Sequence, residues 1–139
     1  MIYADTDFFL ALLKESDWLK EPAERLLRRY AGQICVSPAV LIEIMLLARR
    51  EKVDPERMVE DVLSLATLKG GNPAVFLEAA RLMNEHRVSA MDSLHAAFCG
   101  QEDRLISSDK VFDRLGMKRI PLEQEPEHSG VRAADERKQ

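Results

Sequence analysis

The sequence predicts an α/β domain: a central parallel sheet of about four to five strands with helices on both faces. Three observations predict it. Short apolar runs, Ile2-Tyr3-Ala4, Ile34-Cys35-Val36 and Leu105-Ile106, read as buried strands. The segments between them carry apolar residues at helical spacing. Residues that start helices stand where those strands end: Asp5, Ser37-Pro38 and Asp109.

In order, Ile2-Tyr3-Ala4 leads to Asp5, and Phe8, Phe9, Leu10, Leu12 and Leu13 form a crowded apolar helix face behind it. Residues 14–20 read as a loop. Pro22 suits the first turn of a second helix, with Ala23, Leu26, Leu27 and Tyr30 inward and Gly32 as its end. After the second strand, Ser37 caps a third helix over 38–50. Val40, Leu41, Ile42, Ile44, Met45, Leu46 and Leu47 leave that helix almost no polar face, so it is expected at a protein–protein interface. Pro55 opens a fourth helix carrying Met58, Val59, Val62, Leu63 and Leu65, and a brief strand over 66–68 follows. Asn72 and Pro73 start a fifth helix, whose expected buried stripe is Val75, Phe76, Ala79, Ala80, Leu82 and Met83. A sixth helix spans 90–102. The strand of Leu105 and Ile106 then leads to a short helix with Val111, Phe112 and Leu115, ended by Gly116. Ile120 and Leu122 mark an edge strand.

The chain has 139 residues, enough for one domain with a proper core over 1–122. The tail, 123–139, is charged and polar and is expected to be disordered. No apolar run approaches the ~20 residues of a membrane span. The N-terminus lacks a basic region, so no signal peptide is read and a cytoplasmic location is expected. Cys35 and Cys99 lack zinc-type spacing and read as two buried free thiols. The net charge of −4 argues against nucleic-acid binding through a broad basic surface. It leaves room for a polyanionic substrate where metal ions supply positive charge.

Four acids sit at the starts of apolar segments or among them: Asp5, Glu43, Asp92 and Asp109. An ionised carboxylate between core-forming segments is costly unless paired, hydrogen-bonded or bound to a cation. Each also has a plainer reading. Asp5, Asp92 and Asp109 could cap the helices that follow, and Glu43 could be a solvated helix residue, although it is the only charge in its apolar run. His95, three residues beyond Asp92, reads as a packed core histidine ahead of a ligand. In a parallel sheet, strand ends and helix starts can converge on one edge, where ligands bind. Two carboxylates ~4 Å apart at an effective dielectric of ~20 repel by ~4 kcal/mol. Four together need cations, and oxygen ligands suit Mg²⁺ or Mn²⁺. The residues therefore point to a divalent-metal phosphoesterase.

Over 2–122 the chain resembles PIN-domain ribonucleases, especially the short VapC-like toxins of toxin–antitoxin modules. The resemblance rests on Ile2-Tyr3-Ala4-Asp5-Thr6, on Ser37-Pro38-Ala39-Val40-Leu41-Ile42-Glu43, on Met91-Asp92-Ser93-Leu94-His95-Ala96-Ala97 and on Leu105-Ile106-Ser107-Ser108-Asp109, in this order and spacing. It implies a PIN-like domain with Asp5, Glu43, Asp92 and Asp109 as metal-binding acids and Thr6 and Ser107 as supporting hydroxyls. It implies hydrolysis of RNA to 5′-phosphate and 3′-hydroxyl ends. It also implies a homodimer and an antitoxin partner laid across the acidic groove. Asp7 departs from the family, which usually has Asn or Ser there.

Two rival readings remain at this level. Asp5-Thr6-Asp7 after an apolar strand, with Asp109 and Asp113, resembles a phosphatase of the haloacid dehalogenase type. Against it, Phe9 stands where that pattern wants Thr, and Glu43 and Asp92 have no task. The other rival is a non-catalytic interaction protein whose acids serve only as caps. Lys110, Arg114, Lys118 and Arg119 read equally as phosphate contacts or as a solvated basic face.

Overall fold

Ile2, Tyr3 and Ala4 form the middle strand, β1 (Ile2–Ala4), and all three side chains are buried, as a strand covered on both faces requires. The structure is a computed structural model that describes residues 1–123. Strand β2 (Ile34–Val36) lies parallel to β1 on one side, with Tyr3 opposite Cys35. Strand β4 (Arg104–Ser107) lies parallel on the other, with Tyr3 opposite Leu105. The short β3 (Thr67–Leu68) extends the sheet beyond β2, and β5 (Lys118–Pro121) extends it beyond β4. The order is β3-β2-β1-β4-β5, and every pairing is parallel. This is a single α/β domain of the class expected.

Seven helices accompany the sheet among the described residues: α1 (Thr6–Leu13), α2 (Lys20–Arg29), α3 (Pro38–Glu51), α4 (Pro55–Leu65), α5 (Pro73–His86), α6 (Ala90–Cys99) and α7 (Val111–Arg114). Ser37, Asp54 and Asn72 each cap a helix that opens with proline, accepting a backbone N–H two residues on. Helix α6 stops at Cys99, short of the expected 102, because Gly100 turns the chain at a positive φ of 78°. The core runs along the sheet, with Phe8, Phe9, Ile34, Ile44, Leu105, Ile106 and Phe112 buried around Tyr3. Cys35 and Cys99 are buried free thiols.

Helix α5 buries less than its sequence predicts, and α3 exposes apolar residues that its sequence had assigned to an interface. In α3 only Ala39, Val40, Ile44 and Ala48 are buried, and Ile42, Met45 and Leu46 stand 47%, 55% and 71% exposed. In α5 only Ala79 and Leu82 are buried; Phe76, Ala80 and Met83 face outward. Periodicity marks an apolar stripe but does not say how wide a strip the domain covers. Glu123, assigned to the tail by composition, accepts two hydrogen bonds from Arg119. The rest of that tail lies outside the described residues. Among the described residues no helix is long and apolar enough to cross a membrane.

Candidate metal centre

The carboxyl ends of β1 and β4 meet at Asp5. Its N–H donates to the Ile106 carbonyl, continuing the ladder one residue past β1. Its side chain then caps α1 by accepting the Thr6 N–H at 2.7 Å. Asp5 Oδ2 accepts from Ser107 Oγ at 2.8 Å, and Ser107 Oγ in turn accepts the Asp109 N–H at 2.9 Å. Ser107 therefore ties two of the expected acids to one strand end. Asp109 Oδ1 accepts the Val111 N–H at 2.9 Å, at the start of α7. Capping and a place at the site coincide in Asp5, whereas Asp109 holds the turn that leads into α7, whose N-cap is Lys110. For Asp92 the capping reading fails: Ser89 is the N-cap of α6, its Oγ accepting the Asp92 N–H at 3.1 Å.

Asp5, Asp7, Glu43, Asp92 and Asp109 line one groove of ≈ 340 Å³, with Thr6, Leu10, Leu47, Arg50 and Ser108. All four acids expected from the sequence thus share a site. They do not crowd equally. Among the described residues the tight group is Asp5, Glu43 and His95, whose ligand-type atoms lie within 4.8 Å of one another. His95 Nε2 is 2.8 Å from Glu43 Oε1 and 3.3 Å from Asp5 Oδ1. The core reading of His95 is right about burial, since it is 1% exposed, but it overlooked these two bonds.

Burial pushes the Asp5 carboxyl up to about 7, with the Asp7 and Glu43 charges acting the same way against His95 and Ser107. Burial likewise raises Asp7 and Asp92. Burial would raise Glu43 too, but hydrogen bonds from His95 and Thr6 and the charges of His95 and Arg50 together outweigh it and hold Glu43 below the usual carboxylate range. Burial works against a charged His95, yet the carboxylates of Glu43 and Asp5 raise it above its ordinary value. Negative charge is thus accumulated at a cost that a cation would relieve. Asp7 Oδ2 accepts from the N–H and hydroxyl of Ser108, while its Oδ1 is buried with no partner among the described residues. An unpaired buried oxygen beside a carboxylate cluster fits a hard divalent cation with oxygen ligands.

Arg50 was missed at the sequence level, though a signal existed. Glu43, Leu47 and Arg50 follow the i, i+4, i+7 spacing of one helix face, and all three line the groove. Of the basic residues after Asp109, Arg119 is held by Asp113, Glu123 and the Ser107 carbonyl, and Arg114 donates to the His86 carbonyl. None of the four lines the groove. Asp113 forms two 3.0 Å bonds with Arg119 and does not line the groove either. The metal motif of the dehalogenase-type reading is therefore not assembled.

A parallel sheet whose carboxyl edge gathers acids along an open groove defines the class: an α/β domain with its candidate site beyond the strand ends. The PIN domain family model matches residues 2–118, and the chain belongs to that family. Among curated proteins none matches the chain. Solved structures with the same fold include Mycobacterium tuberculosis VapC20, a toxin that cleaves the sarcin–ricin loop (TM-score 0.71, 20% identity, 84% of this chain and 96% of that chain). A toxin–antitoxin complex from Klebsiella pneumoniae gives a TM-score of 0.70 at 16% identity over 90% of this chain and 100% of that one. VapBC2 from Rickettsia felis, bound to a DNA fragment from its promoter, gives 0.68 at 16% identity over 87% and 98%.

Proposed function

We propose that this protein is a divalent-metal-dependent endoribonuclease, the toxin of a toxin–antitoxin pair. The observation that carries this reading is the convergence of Asp5, Glu43, Asp92 and Asp109, from β1, α3, α6 and the end of β4, on one groove. PIN membership supports the nuclease reading, and the toxin–antitoxin structures of like fold support the biological setting. Asp5, Glu43, Asp92 and Asp109 would hold Mg²⁺ or Mn²⁺, with Thr6 and Ser107 in support. When bound, the cation would supply Lewis acidity at the scissile phosphate and lower the pKa of the attacking water.

The chain's own residues do the rest. Asp5, tied to Ser107 and Thr6, fixes the inner corner of the site. Arg50, at the groove edge, is placed to receive a neighbouring phosphate of the RNA. Such hydrolysis needs no 2′-hydroxyl nucleophile and leaves 5′-phosphate and 3′-hydroxyl ends. Digestion of single-stranded RNA with Mg²⁺, Mn²⁺ or chelator tests this. Metal-dependent cleavage with those ends is expected, and 2′,3′-cyclic phosphate products or cleavage undisturbed by chelator would overturn it. A non-catalytic protein would show neither metal binding nor cleavage.

The exposed Ile42, Met45 and Leu46 of α3 support a homodimer, or an antitoxin segment, covering that face. Met45→Lys or Leu46→Lys would put a charge into it. Loss of the dimer mass in light scattering is expected, and an unchanged mass and antitoxin affinity would refute the assignment. Cytoplasmic action on RNA is part of the same proposal.

A further inference from the structure

His95 sits against two expected metal ligands, which poses a choice: it is itself a ligand, or it holds the ligands. The buried groups behind it decide. Tyr3, fully buried in β1, places its hydroxyl 2.9 Å from His95 Nδ1 and 2.6 Å from Ser37 Oγ. Ser37, also fully buried, caps α3, and its Oγ accepts the Ala39 N–H at 3.2 Å. Glu43, which accepts from His95, is carried by the same helix.

The hydrogens can be assigned from this geometry. Ionised carboxylates only accept. His95 Nε2, 2.8 Å from Glu43 and 3.3 Å from Asp5, must therefore carry the hydrogen. Ser37 Oγ already accepts from Ala39, and its own hydrogen has the Tyr3 oxygen as partner. With His95 neutral, Tyr3 then donates to Nδ1. Taken in the order Ser37, Tyr3, His95, Glu43, every hydroxyl and ring N–H has an acceptor. A nitrogen that carries a hydrogen has no lone pair for a metal.

We propose that Ser37, Tyr3 and His95 form a buried relay that orients the Glu43 and Asp5 carboxylates, with His95 a positioning residue and not a metal ligand. This rests on the metal-site reading above. The relay joins β1, the start of α3 and the middle of α6, three elements far apart in sequence. It locks Glu43, the expected ligand carried by α3, to the central strand. Groups that orient metal ligands in this way typically change metal affinity by about 10–100-fold when removed.

The test is Mn²⁺ affinity of the parent, Tyr3→Phe, His95→Gln and His95→Leu by calorimetry, with melts of each in chelator. Tyr3→Phe deletes one hydroxyl and is expected to weaken Mn²⁺ by about 10-fold or more. His95→Gln keeps an N–H donor toward Glu43 and should retain more affinity than His95→Leu. If Tyr3→Phe melts lower in chelator but binds Mn²⁺ like the parent, the trio is merely a core network and the proposal is wrong. Ring-nitrogen NMR of the parent is the second measurement and needs no variant to fold. With three histidines in the chain, the His95 signals are readily separated. Nε2 is expected to keep its attached proton at saturating Mg²⁺, and loss of that proton would make His95 a ligand. A parent that binds neither Mn²⁺ nor Mg²⁺ defeats the metal-site reading and the relay with it, whereas a binding parent with unaffected variants defeats the relay alone.

Discussion

The two walls of the groove are built differently. On the inner wall Asp5 is 7% exposed and bonded to Thr6, Ser107 and His95, and Glu43 is anchored by His95. On the outer wall Asp92 is half-buried and Asp109 exposed. Asp109 accepts only from the turn it begins, and the cap of α6 belongs to Ser89. One wall is held in place before any cation arrives. The other is tied down only locally and is free to complete the shell. This difference means that the same chemical change, removing one carboxylate, should separate stability from function on one wall and damage both on the other.

The largest expected effect breaks function on both walls and stability on only one. Asp92→Asn should abolish RNA cleavage yet leave the melting point in chelator unchanged or raised, because it removes a partly buried charge and its repulsion from Asp109 and Glu43 while the amide oxygen still accepts from Ser89. Asp5→Ala should also abolish cleavage. It strips Ser107 Oγ and the Thr6 N–H of an acceptor, at about 1–3 kcal/mol for each buried group left unsatisfied, while His95 Nε2 keeps Glu43. Thermal melts in chelator decide it, and equal destabilisation by both changes would erase the distinction between the walls.

A smaller effect is the stabilisation that metal confers. A site that binds only when folded should gain ~2.7 kcal/mol at a hundredfold excess of cation over its dissociation constant. Asp92→Asn should lose most of that shift. Asp92→Ala should behave like it, and its cost in chelator should fall below the roughly 0.5–2 kcal/mol of a lost cap, since Ser89 keeps that role. Equal metal-induced shifts in the parent and both variants would remove Asp92 from the site.

The inner wall also predicts a pH dependence. Asp5 titrates near about 7 when folded, above its unfolded value of ~3.9, so the metal-free folded state binds protons more tightly between those values. Its ionisation therefore lowers stability as pH rises through that window. Asp7 acts in the same direction. His95, raised by its carboxylate neighbours, contributes stability that is complete below its unfolded pKa and lost as pH rises through its folded one. Glu43 is lowered and works the other way, its contribution being lost only at acid pH. Melts in chelator should fall from about pH 5 to about pH 8, and Asp5→Asn should flatten the slope. A parent that grows more stable over that range would contradict the buried, crowded carboxylate.

What could be read in advance follows from the range of the interactions. The three central strands, the capped helices and the four acids are local signals: apolar runs, Ser-Pro and Asn-Pro starts, and a single charge in an apolar stretch such as Glu43. The relay was invisible because Tyr3 and His95 are 92 positions apart, and only the pairing of β1 with its neighbours brings them together. His95 looked like core because its neighbours Leu94, Ala96 and Ala97 are apolar, which is true and still says nothing of what its nitrogens meet. Asp92 looked like a cap because it is an acid at the start of an apolar helix, and whether it or Ser89 holds the cap position is a matter of φ and ψ that composition does not carry. The outward face of α5 was misread because how much of a stripe is covered depends on what packs there.

The smallest expected effect lies on the groove edge beyond the inner wall. Arg50 shares the helix face of Glu43, and its side chain is 72% exposed, with Nε 3.3 Å from Glu51. An exposed pair of this kind adds little to stability, so Arg50→Ala should shift the melt by no more than about 0.5 kcal/mol. Its place in the groove makes it a contact for a phosphate beside the scissile one. Such a contact releases bound counterions, so its loss should raise KM several-fold at low salt and lower the salt slope of binding by about 0.7 for a single-stranded RNA. Arg50→Lys should keep the charge and most of the slope. Steady-state cleavage at several salt concentrations measures all of this. A collapse of kcat with KM unchanged would instead place Arg50 at the reacting phosphate, and the inner wall would then extend about two helical turns farther along α3 than its hydrogen bonds indicate.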